Sequence, residues 1–568
     1  MSEETQNEEA NEMNNTENTE NEIVGRTSAT ERDAITSDKF KFWLPDDVIV
    51  NPFDIVAVEQ VNQPDQEPSV SYGLVTMLEH RTDAASHLSN FISSNFGELD
   101  EEPNTVRQGT TVASVNILSN DEDIYMPVPS ERLVHFADSE GIEVALGIDQ
   151  MEPRDRIPSG LIKMSNGLAA IAHIDSRFVL GPESAHINIS GISGLATKTS
   201  YAMFLLQSIL QTASTPEEIA VIILNVKHGD LLRVDQRGDA LDEEQMGMWE
   251  KLGLDPKPFE NVRYLLPLGH DGSANSFYTP NIHTVFAYDL DCTADKLDLL
   301  FTNVSDRTNT MESIIGDLMQ GLEGRGDARL RNVQSWDQLL YGSPLFDRES
   351  NRSQRFGDNH PASVGKFRRH LRRLVETRHT GIFVDSRSRN EKVLEDEIIN
   401  IKGGNVYVVD IAKLRDEEQT LVFGDLLRAI YSLKAEDAHR RQVDEPIPEK
   451  VIFFVDELNK YAPSGSQTSA ITDQVLDISE RGRSLGVVLI SAQQFMSAVH
   501  NRVTGNSATK ILGRTGAQEV TMPDYRFLDK ELKLSMTRLN KGELLINHAV
   551  YRQPVKVVFP KPAYKQEE

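Results

Sequence analysis

Cysteine is nearly missing from the sequence. Cys292 stands alone among 568 residues, which excludes an intramolecular disulfide framework and a cysteine-built metal cluster within one chain. Long apolar runs are missing too, since none approaches the roughly 20 residues needed to cross a bilayer. The N-terminus lacks the basic-then-apolar order of a secretory signal. These absences lead to the expectation of a cytoplasmic protein with no membrane contact. Positive charge is scarce: 58 Lys and Arg face 88 Asp and Glu, a formal net charge of -30. Phosphate binding wants positive surface, so a general nucleic-acid coat is disfavoured.

The charge is unevenly spread. Residues 1–22 hold eight glutamates, no Lys or Arg, and almost no aliphatics, a composition that predicts disorder. An acidic disordered tail is expected over 1–37. Basic residues concentrate in "GKFRRHLRRLVETRH" (Gly365–His379) and "RGDARLRN" (Arg325–Asn332). The plain expectation for such a stretch is a solvated helix face with ion pairs to nearby glutamates. The sharper one is a narrow basic channel for DNA inside an acidic ring, because fields focus in clefts.

From residue 38 to about 155, short alternating stretches such as "NPFDIVAVEQV", "SYGLVTMLEH", "TTVASVNIL" and "MPVPSERLVHFA" predict a small β-barrel. From 156 the pattern changes. Apolar strands "HINIS", "IAVIILNV", "TGIFVD", "GNVYVVDIAKL", "KVIFFVDEL" and "GVVLISAQQF" alternate with helical stretches, as in a parallel sheet covered on both faces. The expected class is therefore α/β, with a motor-sized domain over 156–555 and a tail over 556–568. Residues of about 240–378 read as a polar, mostly helical insertion, being too long for a loop.

Three elements carry chemistry. "HINISGISGLATKTSYAMFLL" (His186–Leu206) runs strand, turn, helix, and such a turn aims backbone N–H groups and a helix N-terminus at an anion. It departs from the phosphate-loop pattern G-x-x-x-x-G-K-[ST]: Thr197 replaces the glycine before Lys198, and Gly191 and Gly194 fall out of register. Gly191, Ser193, Gly194, Thr197, Lys198, Thr199 and Ser200 are the candidate phosphate-binding residues, with Lys198 as point charge and Thr199, or Ser200, as Mg²⁺ ligand. "VIFFVDE" delivers Asp456 and Glu457 to the C-terminal edge of a strand, where ligands bind in parallel sheets. There Asp456 would hold Mg²⁺ and Glu457 would orient or deprotonate the attacking water. "ERGRSLGVVLISAQQ" ends in Gln493 and Gln494, the former the better candidate to sense a γ-phosphate. Arg481, Arg483 and Arg514 are candidates for stabilising transferred charge, within the subunit or across a subunit boundary.

Taken in order, these segments resemble a HerA-type ATPase of the HerA/FtsK branch of P-loop motors. "DIVAVEQ" with "SYGLVTMLEH" is similar to the family's N-terminal barrel. "HINISGISG", "VIFFVDELNKYAP", "ERGRSLGVVLISAQQ" and "KGELLINHAVYRQPVKVVFP" are similar to its phosphate loop, carboxylate motif, glutamine strand and C-terminal strands. The resemblance implies a RecA-like ATPase domain using ATP and Mg²⁺, and a hexameric ring that moves double-stranded DNA through a central channel. It also implies partnership with a nuclease (NurA in archaea) or with effectors of bacterial anti-phage defence. A nucleotide-binding ring scaffold with little hydrolysis, organising an effector enzyme, is the alternative that the altered loop suggests. A motor acting on a polypeptide instead of DNA is a third.

Overall fold

The computed structural model describes residues 22–60, 68–100, 108–192, 197–229, 231–239, 241–302, 304, 309–342, 344–376, 380–435, 441–465 and 469–566. The chain divides into two compact units. One comprises residues through Asp175 together with Gly516–Thr521 and Tyr525–Phe559; the other comprises Ser176–Thr515, Met522–Asp524 and the chain from Pro560 onward.

In the first unit six antiparallel strands close into a barrel, in the order Ile23–Thr27, Lys39–Leu44, Gly109–Asn120, Val70–Thr82, Ile55–Glu59, Leu133–Phe136. Alternation is the cause: in "KFKFWL" Phe40, Phe42 and Leu44 point inward while the residues between them are partly or fully exposed, the period of two that one buried face requires. The barrel starts earlier than expected. Ile23–Thr27, assigned from sequence to the acidic tail, is a barrel strand with Val24 and Thr27 fully buried. Five residues beside a long acidic run carry too little pattern to stand out. The disorder expected of residues 1–21 lies outside the described residues.

The same unit holds four more antiparallel strands. Arg156–Lys163 pairs with Ala169–Asp175, Val555–Val558 pairs with Glu543–Asn547, and Val558 sits opposite Leu161. These stretches were expected in the ATPase domain; here they cluster with the barrel. Strand pattern reveals a pairing face but not its partner. His548 accepts the Asp175 N–H through Nε2 at 3.0 Å, and the Tyr551 hydroxyl donates to the His173 carbonyl at 2.5 Å.

The second unit is built on nine parallel strands. Their order is Glu391–Lys392, Thr284–Phe286, Val262–Pro267, Val406–Asp410, Ile219–Asn225, Lys450–Asp456, Val487–Gln493, Ile187–Ser190, Thr509–Leu512. Every residue of Ile219–Asn225, Val406–Asp410, Val487–Gln493 and Ile187–Ser190 is buried, which is why these segments read as continuous apolar runs. The α/β class, with a large parallel sheet and a small N-terminal barrel, is as the sequence led us to expect.

Three details differ. Val262–Pro267 and Thr284–Phe286 come from the 240–378 stretch expected to be helical, so part of that stretch completes the sheet. Its helices Thr310–Leu322, Trp336–Tyr341 and Pro361–Val375 contribute Ile314, Trp336 and Phe367 to the core shared with the sheet. "TGIFVD" forms no strand: Phe383 makes a single bridge to Tyr288. The expected C-terminal tail is also partly built in, because Gly238 and Gln236 exchange backbone hydrogen bonds with Ala563 and Lys565, and the Trp249 indole donates to the Lys561 carbonyl at 3.0 Å. Among the described residues no helix is long and apolar enough to cross a membrane.

Burial sets the acid sensitivity of both units. His173, His186 and His548 are pushed down to about 4, in each case chiefly by desolvation. The unfolded chain takes up these protons near pH 6.5 and the folded chain near 4, so their contribution is intact above 6.5 and is lost as pH falls toward 4. Asp425 acts oppositely: burial raises it to about 6, partly countered by Lys296 at 3.3 Å. Burial also raises Asp54, Glu397, Asp410, Glu418 and Asp456, so the histidine contribution shows as a difference between variants. Between pH 7 and pH 4.5 the parent chain should lose more melting temperature than His548→Gln, which keeps a hydrogen-bonding side chain without the titration.

Candidate functional site

Because the nine strands run parallel, their C-terminal ends share one edge, and register decides which side chains meet there. Ser190 lies opposite Gln493, Leu512 opposite Ser190, Asp456 opposite Ala492, and Leu224 opposite Val455. The strand carrying Gln493 thus separates the loop strand from the carboxylate strand. At the same edge the helix Thr197–Thr212 begins, and its first turn carries Lys198, Thr199 and Ser200.

Lys198 is 7% exposed. Burial lowers the pKa of its ammonium, while Asp456 and Glu457 favour the charged form and Lys227 opposes it. Asp456 is raised by burial and lowered in turn by Lys227 and Lys198. The charges of the loop lysine and of the acidic pair at the strand end thus influence one another. Asp456 Oδ1 accepts the Glu457 N–H at 2.9 Å, and Glu457 itself has φ 56° and ψ 43°, a left-handed conformation that non-glycine residues adopt at a cost.

Among the described residues, two buried polar atoms at this edge have no hydrogen-bond partner. Gln493 donates through Nε2 to Asn188 Oδ1 at 2.8 Å, leaving its Oε1 unpaired, and the neighbouring Ser190 Oγ is unpaired as well. Buried orphans of this kind mark places where a polar ligand or water completes the bonding. The donors are carboxylate, hydroxyl and amide oxygens, which suit Mg²⁺. Among the described residues no three His, Cys, Asp or Glu converge as a metal site. That fits an ion held by one carboxylate and substrate phosphates, the usual manner of Mg²⁺.

Other expectations need correction. The Gly191 N–H donates to the Gln493 carbonyl at 3.3 Å and the Ile192 N–H to the Arg514 carbonyl at 2.8 Å, so these amides serve the sheet and are not turned toward an anion. Ser193 and Gly194 lie outside the described residues, as does the side chain of Thr197. Thr199 is half-buried, and Ser200 Oγ accepts from Gln566 Nε2 at 3.4 Å. Arg483 is at the wrong end: it closes the helix Ala470–Leu485 before its strand begins and donates to the Glu183 carbonyl at 2.8 Å. A seven-residue strand, roughly 20 Å long, separates that edge from Gln493. Arg481 pairs with Asp477 one turn back on the same helix. Arg514 follows Thr509–Leu512 at the correct edge and is exposed.

The arginine-rich helix Pro361–Val375 follows the plainer expectation. Arg368 donates to the Leu340 carbonyl and lies 3.8 Å over the Phe346 ring; Arg372 pairs with Glu376 and Arg373 with Glu417. Sequence reasoning missed Lys227, whose Nζ lies 2.5 Å from Glu457 Oε1 and 4.0 Å from Asp456 Oδ2. The available signal was a lysine directly after the apolar run "IAVIILNV". It also missed Ser190 and Asn188.

No family model matches the chain, and no curated protein does. Among solved structures it is similar to the bacterial conjugative coupling protein TrwB lacking its first 70 residues, at 12% identity over 67% of this chain and 87% of that one, with a TM-score of 0.40. TrwB in complex with a non-hydrolysable ATP analogue matches at 13% identity, the same coverage and a TM-score of 0.40. The genome-packaging NTPase B204 of Sulfolobus turreted icosahedral virus 2, in complex with ATP-gammaS, matches at 15% identity over 29% of this chain and 71% of that one, with a TM-score of 0.21. At such identity and overlap, function does not transfer between chains.

The start of the loop is tightly constrained. A Cβ added at Gly191 would sit 3.0 Å from the Gly513 Cα, backbone against backbone, whereas one added at Gly505 would meet nothing within 4 Å. Gly191→Val should lower unfolding free energy by about 1–3 kcal/mol, and Gly505→Ala should leave it unchanged or raise it by about 0.5–1 kcal/mol. Denaturant titrations of the two variants beside the parent chain check both.

Proposed function

We propose that this chain is a Mg²⁺-dependent P-loop ATPase that works as a hexameric ring motor on double-stranded DNA, alongside a nuclease or other effector in DNA processing or anti-phage defence. The observation behind the chemistry is the mutual electrostatic influence of Lys198, Asp456 and Glu457 at the edge that also holds the helix N-terminus. Few other reactions need an ammonium, a helix dipole and a paired carboxylate together. The DNA track and the ring rest on the sequence resemblance to HerA-type motors. They draw no support from the arginine helix, whose charges are largely engaged within the chain.

In this assignment Lys198 and the helix N-terminus hold the oxygens of the β- and γ-phosphates. Thr199 and Asp456 would hold Mg²⁺, which when bound adds positive charge at those oxygens. Glu457 takes a proton from a water molecule as its oxygen attacks the γ-phosphorus. The bond from that phosphorus to the β–γ bridging oxygen breaks, and ADP leaves with the bonding electrons. Gln493, whose Oε1 has no partner among the described residues, orders the attacking water or reports the γ-phosphate, and Arg514 would meet the transferred charge. Arg483 could serve only an adjacent subunit.

The scaffold alternative has two observations in its favour: the first loop amides are already bonded, and Glu457 is paired with Lys227. Steady-state turnover separates the two. Lys198→Ala should reduce ATP hydrolysis at least 100-fold, and Glu457→Gln should do likewise while still binding nucleotide. A parent chain no faster than Glu457→Gln favours the scaffold. In native mass spectrometry the ring assignment expects a sixfold mass, with turnover rising when duplex DNA is added. A monomer without DNA stimulation rules out the ring motor.

A further inference from the structure

Lys227 stands two residues beyond Ile219–Asn225, a strand that runs parallel to the carboxylate strand with Leu224 opposite Val455. That register carries the chain past the sheet edge directly beside Asp456 and Glu457. The backbone there is anchored, since Asn225 Nδ2 donates to the His228 carbonyl at 2.8 Å and to Asp410 Oδ1 at 2.8 Å. The stem is less confined: the Lys227 side chain is 41% exposed, while Lys198 is buried. The site thus has one fixed ammonium and one on a four-carbon arm with room to swing.

The arm rests on Glu457, at 2.5 Å. The ammonium occupies the carboxylate oxygen that a water would otherwise approach. Two ammoniums, Lys198 and Lys227, face two carboxylates, Asp456 and Glu457, so the site is locally balanced. A triphosphate brings fresh negative charge and, at its far end, a γ-phosphate with strong acceptor oxygens. A diphosphate lacks that end.

We propose that Lys227 discriminates triphosphate from diphosphate: it rests on Glu457 in the empty and diphosphate states and moves to the γ-phosphate when a triphosphate binds, releasing Glu457 to act as base. This rests on the phosphate site assigned above. It makes Lys227 a ligand-contacting residue in one state and a restraint on the base in the other.

The test is calorimetric titration of the full chain, in Mg²⁺, with a non-hydrolysable ATP analogue and separately with ADP. Lys227→Met should weaken analogue binding about tenfold, the worth of one charge-assisted hydrogen bond, and leave ADP binding within about twofold. Lys227→Arg, which keeps the charge, should recover most of the analogue affinity. Equal weakening of both nucleotides, or of neither, overturns the proposal while leaving the phosphate site standing. Lys198→Ala tells the two apart: it should lose both nucleotides. If the parent chain binds neither, or if Lys198→Ala binds like the parent, the phosphate site itself fails and the role of Lys227 falls with it.

Discussion

Parallel register is the constraint on which everything else in the second unit depends. Nine strands that all run one way must end at one edge, and hydrogen bonding between neighbours then fixes, to the residue, what stands beside what. Ser190 faces Gln493 and Asp456 faces Ala492 because the ladders between their strands allow no other match. A slip of one residue would turn Asp456 or Gln493 to the opposite face of the sheet. Burial on both faces resists such a slip, since every residue of the central strands is packed and no polar face exists to exchange with an apolar one.

The same constraint explains what could be read from the sequence. Segments such as Ile219–Asn225 and Val487–Gln493 were legible because two-sided burial writes itself as an unbroken apolar run. The barrel was legible for the opposite reason, as one-sided burial gives alternation. Thr509–Leu512 and Thr284–Phe286 are four and three residues long, too short to display any period, and Val262–Pro267 was masked by polar surroundings. Within the site, Lys198, Asp456, Glu457 and Gln493 could be picked out because each belongs to a local pattern. Lys227 could not. Its significance depends on a carboxylate 230 positions later in the chain, and only the ladder between their strands brings the two together.

The arginines show the limit of reading charge by type. Arg368, Arg372, Arg373 and Arg483 look alike in sequence, yet each is committed to a carbonyl, an aromatic ring or a carboxylate nearby. A guanidinium's planar fork invites such commitments, and a folded acidic chain offers many acceptors. Lys296, almost fully buried against Glu395 and Asp425, makes the same point for lysine. Counting basic residues in a stretch therefore says little about how much positive surface remains. What distinguishes Arg514 is position: it follows a strand adjacent to the loop strand, and its backbone carbonyl accepts the Ile192 N–H.

Glu457 concentrates the remaining tension. Its backbone sits at φ 56°, a conformation that costs on the order of 1 kcal/mol or more for a side-chain-bearing residue. Glycine would adopt it without strain but would bring no carboxylate. Three contacts among the described residues hold the strained form: the N–H donated to the Asp456 carboxylate, the ion pair with Lys227, and the Glu457 carbonyl accepting from the Lys460 N–H at 2.9 Å. The first links the acidic neighbours, so that whatever Asp456 binds also fixes the direction of Glu457. The second is stronger in this half-buried setting than it would be in open water, yet it opposes the proton transfer for which the carboxylate is suited. A site that both strains and neutralises the carboxylate proposed as its base spends stability on that arrangement. Such an arrangement makes physical sense when a ligand with more negative charge than Glu457 can draw the lysine away.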